Sequence, residues 1–149
     1  MMRAARRAED GSALVELAVL APVLIFMLVG LIEIGRYMYF GILATHAARA
    51  GVQYAAQTNI TAVDGTGTTN AAAQDAAGLP NMQVTRTIVC ALDGVVTTCP
   101  SSSVASGSQD LVYYVQVQVT STLTPILRYP GIPTNVPVTA TAMMVIGSQ

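Results

Sequence analysis

The chain has little charge and few of the side chains on which catalysis and metal binding depend. Its 149 residues include no tryptophan, no lysine, one histidine (His46) and two cysteines (Cys90 and Cys99). Only 10% of the residues are charged, whereas soluble domains average roughly a quarter, and 52% are hydrophobic. A net charge of −1 excludes the basic surface expected of a nucleic-acid-binding protein. The composition therefore does not fit an ordinary soluble domain.

The same scarcity limits the chemistry of the chain. A structural zinc site needs four ligands, which one histidine and two cysteines cannot supply. His46 falls within a predicted helix without a nucleophile elbow, and the DGTG stretch at 64–67 is typical of a flexible loop. We therefore predict no catalytic residue, no metal, no cofactor and no small-molecule substrate, and we interpret His46 as a packed or solvent-edge residue.

The arginines at the N-terminus precede a long apolar run. Arg3, Arg6 and Arg7 lie before residues 17–32, where no charged or strongly polar side chain interrupts the chain. Extended to 13–35, the run gives about 35 Å of helix at about 1.5 Å per residue, enough to cross a hydrocarbon core of about 30 Å. Because arginine-rich flanks stay in the cytoplasm, we predict a single membrane span with the C-terminal domain outside. A cleaved secretory signal is the alternative, but its apolar core is shorter, about 7–15 residues.

The predicted organisation has four parts. Residues 1–11 are a short, charged, mobile cytoplasmic leader, and residues 12–35 are the transmembrane helix. Residues 36–57 continue this helix outside the membrane, and residues 58–149 form an extracytoplasmic α+β domain.

Small residues recur at spacings of three and four along the helix extension, a pattern that lets a helix approach its neighbour closely. Two interpretations remain open: the helix packs against its own domain, or it packs against sister subunits. The stripe consists of Gly41, Ala44, Ala48, Gly51 and Ala55.

After a turn-rich segment at 58–70, Asn70 is predicted to cap a short helix over 71–77 that ends at Gly78 and Pro80. The pattern then changes to period two, which is typical of strands that are buried on one face. We predict a small antiparallel sheet of three or four strands, covered by the outer half of the long helix. The predicted strands are 82–90, 95–99, 110–123 and 136–147.

Cys90 and Cys99 flank the predicted hairpin turn on the extracytoplasmic side, where disulfide bonds persist. A turn at Gly94-Val95 would place the two cysteines directly opposite one another, whereas a turn at Asp93-Gly94 would offset them by two residues. A disulfide bond between them favours the first turn. Two buried free thiols are the alternative.

Glu33 and Arg36 lie three residues apart near the outer end of the apolar run. This spacing makes them neighbours on a helix surface, so we predict an ion pair at the outer membrane edge. An exposed pair stabilises little, and its expected role is to fix where the helix leaves the lipid.

Two stretches carry a resemblance to a known family: GSALVELAVLAPVLIFMLVGLIEIGRYMY and THAARAGVQYAA, together covering residues 11–56. Their combination of motifs is specific. It consists of a glycine followed five residues later by a glutamate, a proline in the apolar run, Glu-x-Gly-Arg and Ala-Ala-Arg-x-Gly. The chain resembles the TadE-like family, the pseudopilin-type proteins of tight-adherence (Flp-type) pilus systems.

The resemblance implies a pilin-like fold and a minor role in pilus assembly, in the bacterial inner membrane or incorporated into the pilus. It implies cleavage by a prepilin peptidase after Gly11, which makes Ser12 the new N-terminus and Glu16 the fifth residue. The implied partners are other pilin-like subunits, the pilus assembly machinery, the peptidase and the lipid bilayer. The alternative is a monomeric, membrane-anchored binding module unrelated to pili.

Glu16 has two interpretations. The new α-amine at Ser12 is mostly protonated at neutral pH, so Glu16 of one subunit can recognise the amine of a neighbour. Alternatively, Glu16 simply reaches the cytoplasmic membrane interface.

Overall fold

The computed structural model of the chain describes residues 2–92, 95–97, 99, 111–126 and 133–146, and for residues 2–10, 92, 97 and 111 it describes the backbone alone. Within these described ranges three helices precede four strands, which confirms the predicted α+β class. The helices are α1 (Met2–Ala55), α2 (Asn59–Val63) and α3 (Gly65–Asp75), and the strands are β1 (Gln83–Leu92), β2 (Val95–Thr97), β3 (Leu111–Leu123) and β4 (Val136–Val145).

The chain divides after residue 36 into two compact units. In the first unit, helix α1 begins at Met2, so its backbone is helical through the residues predicted as the leader, and the leader itself stays a prediction. Helix propensity is high in this stretch because alanine, arginine and glutamate are good helix formers, and the single Gly11 does not interrupt it. Helix α1 also continues through Pro22.

The four strands form one antiparallel sheet in the order β2-β1-β3-β4, at the upper end of the predicted strand number. Strand β3 lies in the middle and alternates as predicted. Its side chains at Val115, Val117 and Val119 are fully buried, whereas Gln118 on the opposite face is exposed. Strand β4 alternates in the same way over most of its length.

The core of the second unit lies between the outer part of α1 and the sheet. Ala44, Ala48 and Val52 of α1 are buried in the same apolar cluster as the valines of β3. The close approach is clearest at Gly51, where an added Cβ would lie 3.1 Å from a methyl carbon of Val117. Most of the small-residue stripe is therefore occupied by the domain of its own chain, with Gly41 half-exposed.

The segment between α1 and the sheet differs from its prediction, because 58–70 is helical rather than irregular. Thr58 caps α2 through reciprocal hydrogen bonds with Thr61, and Asp64 caps α3. Asn70, the predicted cap, lies inside α3 instead. The caps satisfy the N–H groups that a helix start leaves open, and this local bonding outweighs the turn preference of the glycines.

A glycine conformation and a buried hydrogen bond shape the connection that follows α3. Gly78 has a φ of 103°, the left-handed conformation that ends the helical turn and that glycine adopts without strain. The hydroxyl of Ser121 in β3, which is fully buried, donates a hydrogen bond to the carbonyl oxygen of Pro80. A buried hydroxyl on the core face of β3 is thus satisfied.

A disulfide bond joins Cys90 to Cys99, with 5.2 Å between their Cα atoms. The pairing Cys90 with Thr97 and Leu92 with Val95 is the register that offsets the cysteines by two residues. The expectation that a bridge favours the directly opposite register is therefore wrong. The turn residues 93 and 94 themselves lie outside the described residues. The Sγ atom of Cys99 lies 3.5 Å from the carbonyl oxygen of Ile88, which places Cys99 beside the residue that the offset register predicts.

Candidate functional site

The predicted processing and recognition residues lie close together on the surface of α1. Ser12 and Glu16 are separated by one helical turn, and both are exposed. Gly11, Ser12 and Glu16 line a shallow cleft whose remaining walls are Val15, Val19 and Leu20. An added Cβ at Gly11 would meet no atom within 4 Å, so this glycine is not required by packing within the chain.

The helix around this cleft exposes its large apolar side chains. Leu14, Phe26 and Ile34 are more than half exposed, as are most large apolar residues between them. Among the described residues, α1 is the one helix long and apolar enough to cross a membrane. An apolar surface of this length is costly in water, and the helix is compatible with a single-pass membrane anchor.

Glu33 and Arg36 form an ion pair near the end of the first unit. The Nη1 atom of Arg36 lies 3.2 Å from Oε2 and 3.4 Å from Oε1 of Glu33. The side chain of Glu33 is 18% exposed and that of Arg36 is 33% exposed, so the pair is partly screened from solvent. The pair itself is present, and its position at the membrane edge stays a prediction.

A cluster that the sequence analysis missed joins the end of α1 to the start of α3. The hydroxyl of Tyr54 donates to Oδ2 of Asp64 at 2.7 Å, and the backbone N–H of Gly67 donates to Oδ1 at 2.9 Å. A Cβ at Gly67 would collide with both the Asp64 carboxylate and the Tyr54 ring, so the DGTG stretch is a closely fitted helix start. The sequence signal for this cluster is Asp64 with Gly67 three residues later, because an aspartate at the N-cap commonly accepts a hydrogen bond from the backbone N–H at that spacing.

The hydrogen bonds of this cluster shift the pKa values of Asp64 and Tyr54 in opposite directions. The Gly67 N–H and then the Tyr54 hydroxyl hold the pKa of Asp64 below its ordinary value, because both bonds favour the charged carboxylate. The hydrogen bond to Asp64 and the burial of the ring raise the pKa of Tyr54. The cluster has the geometry of a structural junction, with a charged acceptor matched to its donors.

Arg86 of β1 completes the junction from the side of the sheet. Its Nη1 donates to the carbonyl oxygen of Ala62, the residue near the end of α2, and its charge contributes to the lowered pKa of Asp64. The Nε atom of Arg86 is buried and has no hydrogen-bond partner among the residues that the structure describes. Arg86 therefore ties α2 to β1 rather than serving as a free cation on the surface.

The remaining candidate, His46, lies on the exposed side of α1 in the second unit. Within the described residues, no group of three or more histidine, cysteine, aspartate or glutamate side chains could hold a metal ion. The described geometry thus brings together Gly11, Ser12 and Glu16, and separately Glu33 and Arg36.

Comparison with known proteins identifies the segment that contains the cleft and the ion pair. The sequence model of the TadE-like protein family matches residues 11–53. No curated protein and no solved structure matches the chain. The family match confirms the resemblance and begins at Gly11, the residue that the resemblance places before the cleavage site. The segment from residue 11 to residue 53 therefore matches the TadE-like family, a structural family associated with tight-adherence pili.

Proposed function

We propose that the chain is a minor, pilin-like (pseudopilin) component in the assembly of a tight-adherence pilus. The observation that carries the proposal is the family match over residues 11–53, together with an exposed apolar helix that carries Gly11, Ser12 and Glu16 in one cleft. In this proposal α1 crosses the bacterial inner membrane over residues 12–35, with the N-terminus in the cytoplasm. The Cys90–Cys99 disulfide supports an extracytoplasmic location for the second unit, because disulfide bonds persist outside the cytoplasm.

Prepilin peptidase is proposed to cleave between Gly11 and Ser12 on the cytoplasmic side. Since α1 is helical through both residues, cleavage requires local unwinding of the helix. Glycine lowers the cost of this step, because it is about 1 kcal/mol less favourable than alanine inside a helix. Replacement of the glycine also places a side chain where the peptidase must approach the backbone.

Intact-mass measurement of the protein extracted from membranes tests the cleavage. We expect a chain that begins at Ser12, whereas a chain that retains Met1 or Met2 supports the alternative of an unprocessed binding module. Gly11→Leu should retain the leader, and Gly11→Ala should be processed more slowly than the parent. Normal maturation of Gly11→Leu would contradict the proposed site.

Glu16 is proposed to recognise the N-terminal amine of a neighbouring subunit. Cleavage creates an α-amine with a pKa of about 7.7–8.0, which is mostly protonated at neutral pH. Glu16 lies exposed one turn away from Ser12, so its carboxylate is available to the amine of its own chain or of a neighbour. A pair of this kind need not add net stability, because desolvation offsets the attraction. Loss of one partner leaves the other charge unpaired in lipid at a cost of several kcal/mol, so the pair selects register.

The assembly role is tested with Glu16→Leu and a matched control, Leu20→Ala, which alters the same cleft without removing a charge. We expect Glu16→Leu to insert and to be cleaved, yet to be lost from complexes that are purified with the other pilin-like subunits. Leu20→Ala should co-purify as the parent does. If Glu16→Leu supports pili as well as the parent, Glu16 has no role in recognition.

A further inference from the structure

Strand β4 forms one edge of the described sheet, and among the described residues no further strand pairs with it. In the described sheet, β4 pairs with β3 on one side and lies at the end of the strand order. The ten residues of β4 carry no charge, and Met143 and Val145 are about half exposed. Natural proteins commonly protect such edges with charged side chains, bulges or covering elements. Here the only such device within β4 is Pro137, near its start.

The hydrogen bond from the N–H of Ile146 to the carbonyl oxygen of Tyr113, 2.9 Å long, shows which residues face β3. In an antiparallel ladder, successive residues turn their N–H and C=O groups to opposite sides. Since Ile146 faces β3, the backbone groups at 139, 141, 143 and 145 point away from the sheet. Pro137 shares this outward direction, and proline is tolerated on an edge strand where its nitrogen faces outward.

A groove of about 330 Å³ runs between this edge and the outer part of α1. Its helix side consists of Arg49, Val52 and Gln53, and its strand side is the stretch 141–144. Arg49 is exposed, and within the described part of the chain no acidic side chain pairs with it. Arg49 belongs to the Ala-Ala-Arg-x-Gly stretch, in which the two alanines and the glycine are buried in the core. Packing therefore accounts for these small residues, but it does not account for the exposed arginine.

We propose that this groove binds an extended segment of a partner protein, which adds a strand to the open edge of β4 and places a carboxylate against Arg49. A ladder of outward N–H and C=O groups is satisfied by another extended backbone. The guanidinium of Arg49 is suited to a carboxylate, which it can bind through two parallel hydrogen bonds.

The charge of Arg49 favours this occupant over a second copy of β4. The stretch from Val136 to Val145 contains no acidic residue, so a β4–β4 pair would leave both Arg49 side chains without a partner. The proposal concerns the second unit alone, so it stands or falls separately from the role of Glu16.

The first test uses the full chain in detergent micelles and two synthetic octapeptides of alternating valine and threonine. Both peptides are acetylated, and one ends in a free carboxylate whereas the other ends in an amide. Amide hydrogen exchange should slow at Thr139, Thr141 and Met143 when the carboxylate peptide is added. Exchange at the exposed residue Thr122 of β3 should not change. Protection of these β4 amides before peptide is added, or protection that grows with protein concentration alone, would overturn the proposal.

Two variants separate the contributions of backbone and charge. Arg49→Gln should bind both peptides equally, whereas the parent should bind the carboxylate peptide about fivefold more tightly, the upper range for an exposed ion pair. Thr141→Pro removes one outward N–H, as Pro137 does naturally, and should weaken the binding of both peptides. Its fold is checked by circular dichroism, and if the variant does not fold, the exchange measurement on the parent decides. Equal affinity of the parent for the two peptides, or no protection with either peptide, would refute the proposal.

Discussion

The disulfide bond between Cys90 and Cys99 should contribute much of the free energy that keeps β2 paired with the sheet. Strand β2 makes three residue pairs with β1, and two of its residues, Val95 and Val96, are 68% and 71% exposed. So little burial contributes little stability, because apolar side chains contribute in proportion to the area that they remove from water. The bridge closes a loop with a sequence separation of 9. In the chain-entropy model, a loop of about ten residues corresponds to about 2.7 kcal/mol at room temperature.

The perturbation is Cys99→Ala, which leaves the fully buried Cys90 in place and so preserves the packing around it. Urea unfolding of the full chain in micelles, followed by circular dichroism because the chain has no tryptophan, should show a loss of about 2–3 kcal/mol. Hydrogen exchange at Val95 and Val96 should accelerate more than exchange in β3. Treatment of the parent with a reductant should reproduce both effects.

Val96→Ala is the matched control, since it alters an exposed side chain of the same strand and should change stability by less than about 0.5 kcal/mol. A loss below about 0.5 kcal/mol in Cys99→Ala, with unchanged protection of β2, would refute the reasoning. The hairpin would then be stable through its own hydrogen bonds.

Three further predictions follow from contacts of single residues. Gly51→Leu should lower the free energy of unfolding by about 1–3 kcal/mol, because it forces a side chain against the sheet. Gly41→Leu, whose added Cβ meets no atom within 4 Å, should have the same free energy of unfolding as the parent. Equal losses in the two variants would contradict the described packing. Asp64 has a lowered pKa, so its stabilisation is present above the unfolded value of about 3.9 and is lost as pH falls through the folded value. Thermal melts of Asp64→Asn should therefore depend less on pH in this acidic range than melts of the parent, and parallel curves would exclude a role for the carboxylate. Glu33→Gln should change the depth of α1 in lipid, as read by site-specific labels, and an unchanged depth would make the pair with Arg36 incidental.

Periodicity was sufficient for the parts of the fold in which burial follows sequence directly. The alternation of valines with polar residues in β3 predicted its buried face, and the long apolar run predicted the exposed helix. Both patterns separate side chains that prefer an apolar environment from side chains that prefer water, and this separation can be read directly from the sequence. The spacing of Gly11, Glu16, Glu33 and Arg36 along a single helix can also be counted from the sequence, whereas the roles of these residues stay predictions.

The parts that could not be predicted depend on specific bonds rather than on burial. Thr58 and Asp64 convert a glycine-rich stretch into helix starts through side chain to backbone hydrogen bonds, which composition does not reveal. The hairpin register is predicted wrongly because both turn types are compatible with the same residues, and a disulfide bond forms in the offset register as well. The groove beside Arg49 could not be predicted from the sequence, because β4 forms one of its walls and the position of β4 is known only from the sheet.

Helix α1 has a mechanical consequence, because it enters the core of the second unit without a linker. The residues that begin the apolar run and the residues that fill the core, such as Ala48 and Val52, belong to one continuous helix. Within the second unit, a pull along α1 therefore acts directly on the contact between Gly51 and Val117, because this part of the helix belongs to the core. Proteolytic removal of α1 as far as Thr58 would expose the apolar face of the sheet, so a cut that separates the second unit from this helix would also unfold it.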